Sequence, residues 1–444
     1  DLALAVATDG DRPPLPDHPV ELVVDPARPV TVVLTAAHRS PLIFVPPRRA
    51  ASEAARDEID WHRWSTGIAS AVARRDTVIR SLITLQLLTY SPSGAPVAAP
   101  TTSLPEALGG SRNWDYRYAW PRDASIGVAA FLAAGKHTEA RAFLAWLLHA
   151  SRLARPRLPA LFTLDGRPGP RERTLPDWPG YADSRPVRVG NGAADQNQLD
   201  CYGWVLDAAW LYAHAGHSLS GELWRAIERF ADHVERTWSQ PDAGIWERRD
   251  APRHHVHSKL MAWLALDRAS RIAARRVGKA AARRRARWIA ARDRIAADVR
   301  EHGFSSTLGA YTAAYGSDDL DAAVLLLPVI GMEPRDSPRV AGTIDAIRSK
   351  LGAGGPLLYR YLGDDGLPGT EGAFLPCSFW LVQALALIGR CDQAEQLFDE
   401  LVGIAGPLGL FAEEVDPSTG EQIGNHPQAL THAALLQAAL ALQR

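Results

Sequence analysis

Trp114, Tyr116, Tyr118 and Trp120 stand at alternate positions of SRNWDYRYAWPRDAS, residues 111–125, with Arg112, Asp115, Arg117, Arg122 and Asp123 set among and after them. Side chains two apart in an extended segment share a face, so the spacing predicts one aromatic wall with Asp115 and Arg117 turned away from it. Pro121 suits the first turn of a following helix, which sets Asp123 near the positive end of that helix. Taken alone, the stretch reads equally as a half-buried strand leading into a capped helix. Two further clusters of the same kind change that balance. In PDAGIWERRD, residues 241–250, Trp246 and Glu247 sit in a Gly/Pro/Asp-marked loop beside Arg248 and Arg249. In GLFAEEVDPSTGEQIGNHPQALTH, residues 409–432, Glu413 and Glu414 precede a turn and the last helical run.

Loop carboxylates next to rings and arginines suit chemistry on a polyol. A sugar offers C–H faces that stack on Trp and Tyr, and hydroxyls that Arg and Asp can fix in pairs. Cleaving a glycosidic bond takes two carboxyl groups, one protonated to assist the leaving oxygen and one ionised on the opposite side of the ring. A carboxyl beside an indole is partly desolvated, which raises its pKa and suits Glu247 to the acid role; Glu413, in what reads as a more polar loop, suits the base.

The rest of the chain must position these groups. Its 444 residues are 46% hydrophobic, enough for a large core, and a formal net charge of -1 from 49 basic and 50 acidic residues leaves no footprint for nucleic acid or a membrane surface. The basic segment 275–294 is expected to be a solvated outer helix. Cys201, Cys377 and Cys391 lack ligand or disulfide spacing and read as buried small hydrophobes. His254, His255 and His257 read as loop histidines, so neither a metal nor another cofactor is expected. With no apolar run of membrane length and no leader-like N-terminus, a cytoplasmic enzyme is expected; the chain opens on Asp1 rather than Met, which reads as a processed or truncated start.

Residues 1 to about 50 carry β-branched runs at 20–24 and 30–34, predicting two strands that cannot bury a face by themselves. From there the period turns helical. Helices are expected at about 66–90, 123–135, 137–154, 195–215, 219–239, 257–275, 279–301, 318–328, 339–351, 373–389, 391–403 and 427–443. Several are apolar on most faces, which predicts inner helices enclosed by outer ones in a closed ring. The fold class is therefore mainly α with a short β-rich N-terminal segment.

SRNWDYRYAWPRD, GIWERRD with the downstream HSKLMAW, LLYRYLGDDGLPGTEGAFLPCSFW and the closing GLFAEEVDPSTGEQIGNHPQALTH together resemble glycoside hydrolase family 15, the family of glucoamylases, glucodextranases and bacterial trehalases. The resemblance runs from about residue 60 to the C-terminus. It implies an (α/α)6 barrel over residues 59–444, residues 1–58 being a linker and the remnant of an N-terminal β-sandwich. It also implies an inverting, exo-acting hydrolysis of small α-glucosides with no metal. By the same resemblance Glu247 is the general acid and Glu413 the general base. Arg122 and Asp123 grip the terminal glucose, Tyr116 and Trp120 wall that subsite, and Arg360 adds a further contact; Trp246 and Arg248 complete the expected binding set. Trp204 stands where bacterial relatives carry an acidic residue, a change expected to bear on the leaving-group subsite.

Within this reading maltose- or isomaltose-type oligosaccharides are preferred as substrates over trehalose. The other classes weighed are a sugar-binding barrel without turnover, against which the retention of both glutamates argues, and a phosphorylase with a phosphate pocket in place of Glu413.

Overall fold

The computed structural model describes residues 2–9, 25, 27, 29–38, 41–68 and 74–443. The chain divides into two compact units, Asp1–Ala69 and Ser70–Arg444.

In the first unit β1 (Leu2–Thr8) and β2 (Val32–His38) pair antiparallel, from Leu2 opposite His38 to Thr8 opposite Val32. The expected strand at 20–24 lies outside the described residues, and the one at 30–34 begins two residues later and runs on to His38. Helix α1 (Pro47–Thr66) starts on a proline at its first position and buries none of its residues. The expected boundary at 58/59 falls inside this helix. Its Ala- and Arg-rich sequence favours helix without help from a core, and Arg49 pairs with Glu53 one turn on.

The second unit holds α2 (Arg75–Leu87), α3 (Pro121–Ala133), α4 (His137–Ser151), α5 (Asp200–His214), α6 (Gly221–Thr237), α7 (Val256–Ala273), α8 (Lys279–His302), α9 (Leu327–Ile330), α10 (Pro338–Leu351), α11 (Leu375–Leu387), α12 (Cys391–Val402) and α13 (Ala429–Ala441). It is an (α/α)6 barrel. α3 packs on α5, α5 on α7, α7 on α9, α9 on α11, α11 on α13, and α13 back on α3, so the inner helices close a ring. The even-numbered helices lie outside it, α8 against α7 and α12 against α11. Sequence explains the division. α11 (LPCSFWLVQALAL) and α13 (ALTHAALLQAALA) are apolar on nearly every face and are buried almost throughout, whereas α6 (GELWRAIERFADHVERT) buries a single stripe, Leu223, Ala226, Ile227, Phe230, Ala231 and Val234.

The basic segment is an outer helix with exposed arginines such as Arg283, Arg285 and Arg294, and three of its other charges are paired to neighbouring helices. In α8 Arg284 bridges Glu228, Arg287 bridges Asp232 and Glu235 of α6, and Arg292 reaches Asp267 of α7. Other boundaries move for local reasons. Residues 373–374 form a short strand ahead of α11, and 322–326 take a 3-10 turn ahead of α9. Cys201 and Cys377 are buried as expected, but Cys391 at the start of α12 is exposed. Among the described residues no helix is long and apolar enough to cross a membrane.

Candidate active site

The loops that enter the N-terminal ends of the inner helices carry the three sequence clusters to one pocket. Residues 111–120 run extended, with Asp115 bridged to Thr102 and Ala119 to Phe162, and deliver the chain to α3. Trp120 caps α3 in an extended conformation, Pro121 opens it, and Arg122 and Asp123 occupy its buried first turn. The loop ahead of α7 supplies Ile245, Trp246 and Glu247. The strand Glu414–Val415, paired on one side with Ala373–Phe374 and on the other with Gln422–Ile423, fixes Glu413 just before it.

The pocket encloses roughly 700 Å3 of space up to its open mouth. Tyr116, Trp120, Arg122, Asp123, Trp246 and Glu247 line it, and so do Arg360 and Glu413. Eight of the nine residues expected from the sequence therefore come together. Arg248 does not: its guanidinium turns to Asp250 and to the carbonyl of Asp364, and the pocket is lined by Arg249 instead. Adjacent residues of a turn point in different directions, so one position of difference moves the side chain out of the site. Trp114, Tyr116 and Trp120 face the pocket, the last two edge to face with ring centres 5.6 Å apart. Tyr118 leaves the expected wall, and its hydroxyl accepts the Gly190 N–H at 3.1 Å. Asp115 is turned away as expected, buried against Arg117.

Each glutamate is held by an aromatic donor. Trp120 Nε1 donates to Glu247 Oε1 at 2.7 Å, with Arg122 Nη1 at 3.8 Å from the same oxygen. Tyr116 donates its O–H to Glu413 Oε1 at 2.7 Å, while Glu413 Oε2 has no hydrogen-bond partner. Glu247 takes φ +57°, a left-handed backbone that a non-glycine residue adopts at a cost. Gln196 holds it there, donating Nε2 to the carbonyls of Glu247 and Arg248 at 3.1 and 3.0 Å. Arg122 is set by its own neighbours, Asp123 at 2.7 Å and the Ile245 carbonyl at 2.8 Å.

Burial raises the Glu247 carboxyl above the usual range, against the pull of Arg122 and Trp120, and its side chain remains 19% exposed to the pocket. The polar surroundings of Glu413 are buried rather than solvated: the residue is 1% exposed, and burial pushes its carboxyl up to about 7 although Arg360 and Tyr116 favour the ionised form. Behind it lies a cluster of carboxyls sharing two guanidiniums. Glu371 takes Arg360 Nε and Nη2 at 2.6 Å each and also binds Arg112, which pairs with Asp365 at 2.7 Å. Glu106 accepts from Trp114 Nε1 at 2.7 Å, and Glu414 accepts the Gly372 N–H at 2.7 Å. Burial carries both of these carboxyls well above their usual range.

Sequence reasoning missed Gln196, Arg249, Glu371 and Asp321, the last accepting from Trp246 Nε1 at 2.8 Å. Arg249 and Glu371 carried a signal, since they lie in the quoted segments 241–250 and 357–380. Trp204 is buried in α5 and does not line the pocket. His254 and His255 lie in the loop before α7, but His257 is in its first turn and fully buried, with no hydrogen-bond partner for either ring nitrogen. Among the described residues no three His, Cys, Asp or Glu side chains are grouped as metal ligands would be.

A helical barrel whose inner-helix entrances converge two buried carboxyls and an arginine-aspartate pair on one ring-lined pocket has the architecture of a glycoside hydrolase. The sequence model for glycosyl hydrolases family 15 matches residues 72–440, and the chain belongs to that family. The trehalase of Mycobacterium tuberculosis is 42% identical over 384 residues, covering 85% of this chain and 56% of its own length. The trehalase of Thermoplasma volcanium is 38% identical over 383 residues, covering 86% of this chain and 61% of its own. The chain thus spans about three-fifths of the length of these relatives. A bacterial glucoamylase solved with acarbose shares the fold with a TM-score of 0.72 at 16% identity, covering 93% of this chain and 63% of that one. A glycosidase solved with glucose does so with a TM-score of 0.65 at 22% identity, covering 83% and 96%.

Proposed function

We propose that the protein hydrolyses α,α-trehalose to two molecules of glucose with inversion at the attacked carbon. The observation that carries the reading is the opening of Glu247 and Glu413 onto one pocket, each gripped through a single oxygen by an aromatic donor. The trehalases among the relatives move the preference to trehalose from the maltose- or isomaltose-type substrates favoured by the sequence alone. The fold shared with glucoamylases keeps the latter as the second reading.

In this reading one glucose sits in the pocket with its hydroxyls on Arg122, Asp123 and Arg360 and a face toward Tyr116 and Trp120. Glu247, whose protonated form burial favours, gives its proton to the bridging oxygen as the C1–O bond breaks. Glu413 acts ionised. Its Oε1 is anchored by Tyr116, which leaves Oε2 to take a proton from the water attacking C1 on the opposite face. Positive charge develops on the ring between them. The attacked sugar leaves as β-glucose and the other as α-glucose; Glu413 then holds the added proton and Glu247 has lost one, so exchange with solvent resets the pair.

Proton NMR of the first turnover in buffer separates the outcomes. Inversion gives α- and β-glucose in equal amounts before mutarotation, whereas α-glucose alone would overturn the mechanism. Absence of trehalose turnover alongside turnover of maltose or isomaltose would restore the second reading.

A further inference from the structure

The general acid delivers its proton to the bridging oxygen, so the leaving sugar must lie on the mouth side of Glu247, next to whatever the same turn places there. Two residues further on is Arg249. Its side chain is 32% exposed, against 10% for Arg122 and 9% for Arg360, so it lines the outer part of the pocket while those two lie deeper.

Arg249 is held in place by neighbours from two other loops. Its Nη1 donates to Glu172 Oε1 at 3.0 Å and its Nη2 to Oε2, a two-point pairing that fixes the plane of the guanidinium. Glu172 is itself fixed, accepting the Gly192 N–H at 3.3 Å and lying 3.3 Å from Arg188 Nε. The guanidiniums of Arg249 and Arg188 lie over the Trp114 ring, 4.7 and 4.5 Å from its centre. Trp114 is thus a plate under the arginines as well as a pocket wall. Gly192 completes the seat: a Cβ there would stand 3.0 Å from Arg249 Nη2 and 3.1 Å from Cζ, so a larger residue would push the guanidinium a few tenths of an ångström from its place.

We infer that Arg249, seated by Glu172 and Gly192 on Trp114, binds the hydroxyls of the leaving sugar and sets the preference for a sugar as the leaving group. Two of its five N–H groups engage Glu172, and the guanidinium keeps further donors for sugar oxygens. One carboxylate facing two guanidiniums leaves the rim a net donor surface, suited to the lone pairs of a neutral polyol. Glu172 and Gly192 are positioning residues that act through Arg249. The inference rests on the proposed glycosidase reading and names the group that selects within it.

The test compares two substrates sharing the glucose bound in the deep pocket but differing in the leaving group: trehalose, whose leaving sugar carries hydroxyls, and α-glucosyl fluoride, whose leaving group carries none. For Arg249→Ala the ratio of kcat/KM on trehalose to kcat/KM on the fluoride should fall about 30- to 100-fold, the range for losing hydrogen bonds from a charged donor. For Glu172→Gln and Gly192→Ala, which misplace the same guanidinium, it should fall about 5- to 10-fold, mainly through KM on trehalose. Fluoride turnover reports in each variant that the deep pocket is folded. A ratio unchanged in Arg249→Ala, whether both activities fall together or neither does, would overturn the inference. If the parent enzyme does not cleave trehalose, the proposed substrate fails, and the same ratio read with maltose or isomaltose still decides the role of Arg249.

Discussion

At the scale of single residues, the two glutamates differ less in environment than in what holds them. Both are raised by burial, but Glu413 is tied to the Tyr116 hydroxyl, which donates to its charged form, and Glu247 to the Trp120 indole in a turn forced into the left-handed region. Because the Tyr116 bond favours the ionised carboxylate, its removal lifts the Glu413 pKa further above about 7. A base must be ionised to work, so Tyr116→Phe should shift the acid-side fall of kcat/KM to higher pH by about one unit, measured as a pH-rate profile on trehalose. A profile that keeps its acid limb in place would deny Glu413 the base role. Glu247→Gln should lower trehalose kcat by about 100- to 10,000-fold while sparing most of the α-glucosyl fluoride rate, because fluoride departs without a proton. Glu413→Gln should lose both activities together.

At the scale of elements, the helices of the barrel were legible because their apolar periodicity is enforced by burial. α3 and α13, apolar on most faces, read as enclosed helices, and Pro121 marked the first turn of α3, although that helix was expected from about 123. Less legible was what no periodicity governs. α1 lies where the period turns helical after about residue 50, but it was not among the expected helices, and the expected linker boundary falls inside it. Arg249 finds Glu172, 77 residues away, and Trp246 finds Asp321, 75 residues away, through loop geometry that spacing does not encode. Glu413 was picked out by its motif, but its burial was not legible, because the carboxyls of 413 and 414 are folded inward against 106 and 371. The paired α6 and α8 offer a test of which contacts matter. Trp288 is fully buried and donates Nε1 to Asp232 at 2.9 Å, whereas Arg287 is half exposed and adds charge pairing to the same residue. Trp288→Ala should cost about 3–5 kcal/mol in urea unfolding and Arg287→Ala under about 1 kcal/mol. Equal costs would mean that α8 is held by its ion pairs rather than by its buried stripe.

At the scale of the whole molecule, a formal charge of -1 over 444 residues provides no long-range field, which suits an uncharged substrate that diffusion alone can deliver. The charge that matters is local. Glu371 and Asp365 are matched by Arg112 and Arg360, and burial holds Glu106 and Glu414 well above their usual range, which leaves Glu413, raised to about 7, as the carboxyl on this side of the pocket whose charge changes near neutral pH. A basic iminosugar in its protonated state should therefore outbind its uncharged lactam counterpart, and by a margin that widens from pH 5 to pH 8 as Glu413 ionises, provided the amine stays protonated over that range. Titration calorimetry at the two pH values would check this, and a constant margin would count against it. Once ionised, Glu413 makes this side of the pocket an electrostatic trap for positive charge, one that would act on a cationic inhibitor as readily as on the positive charge of the proposed reaction.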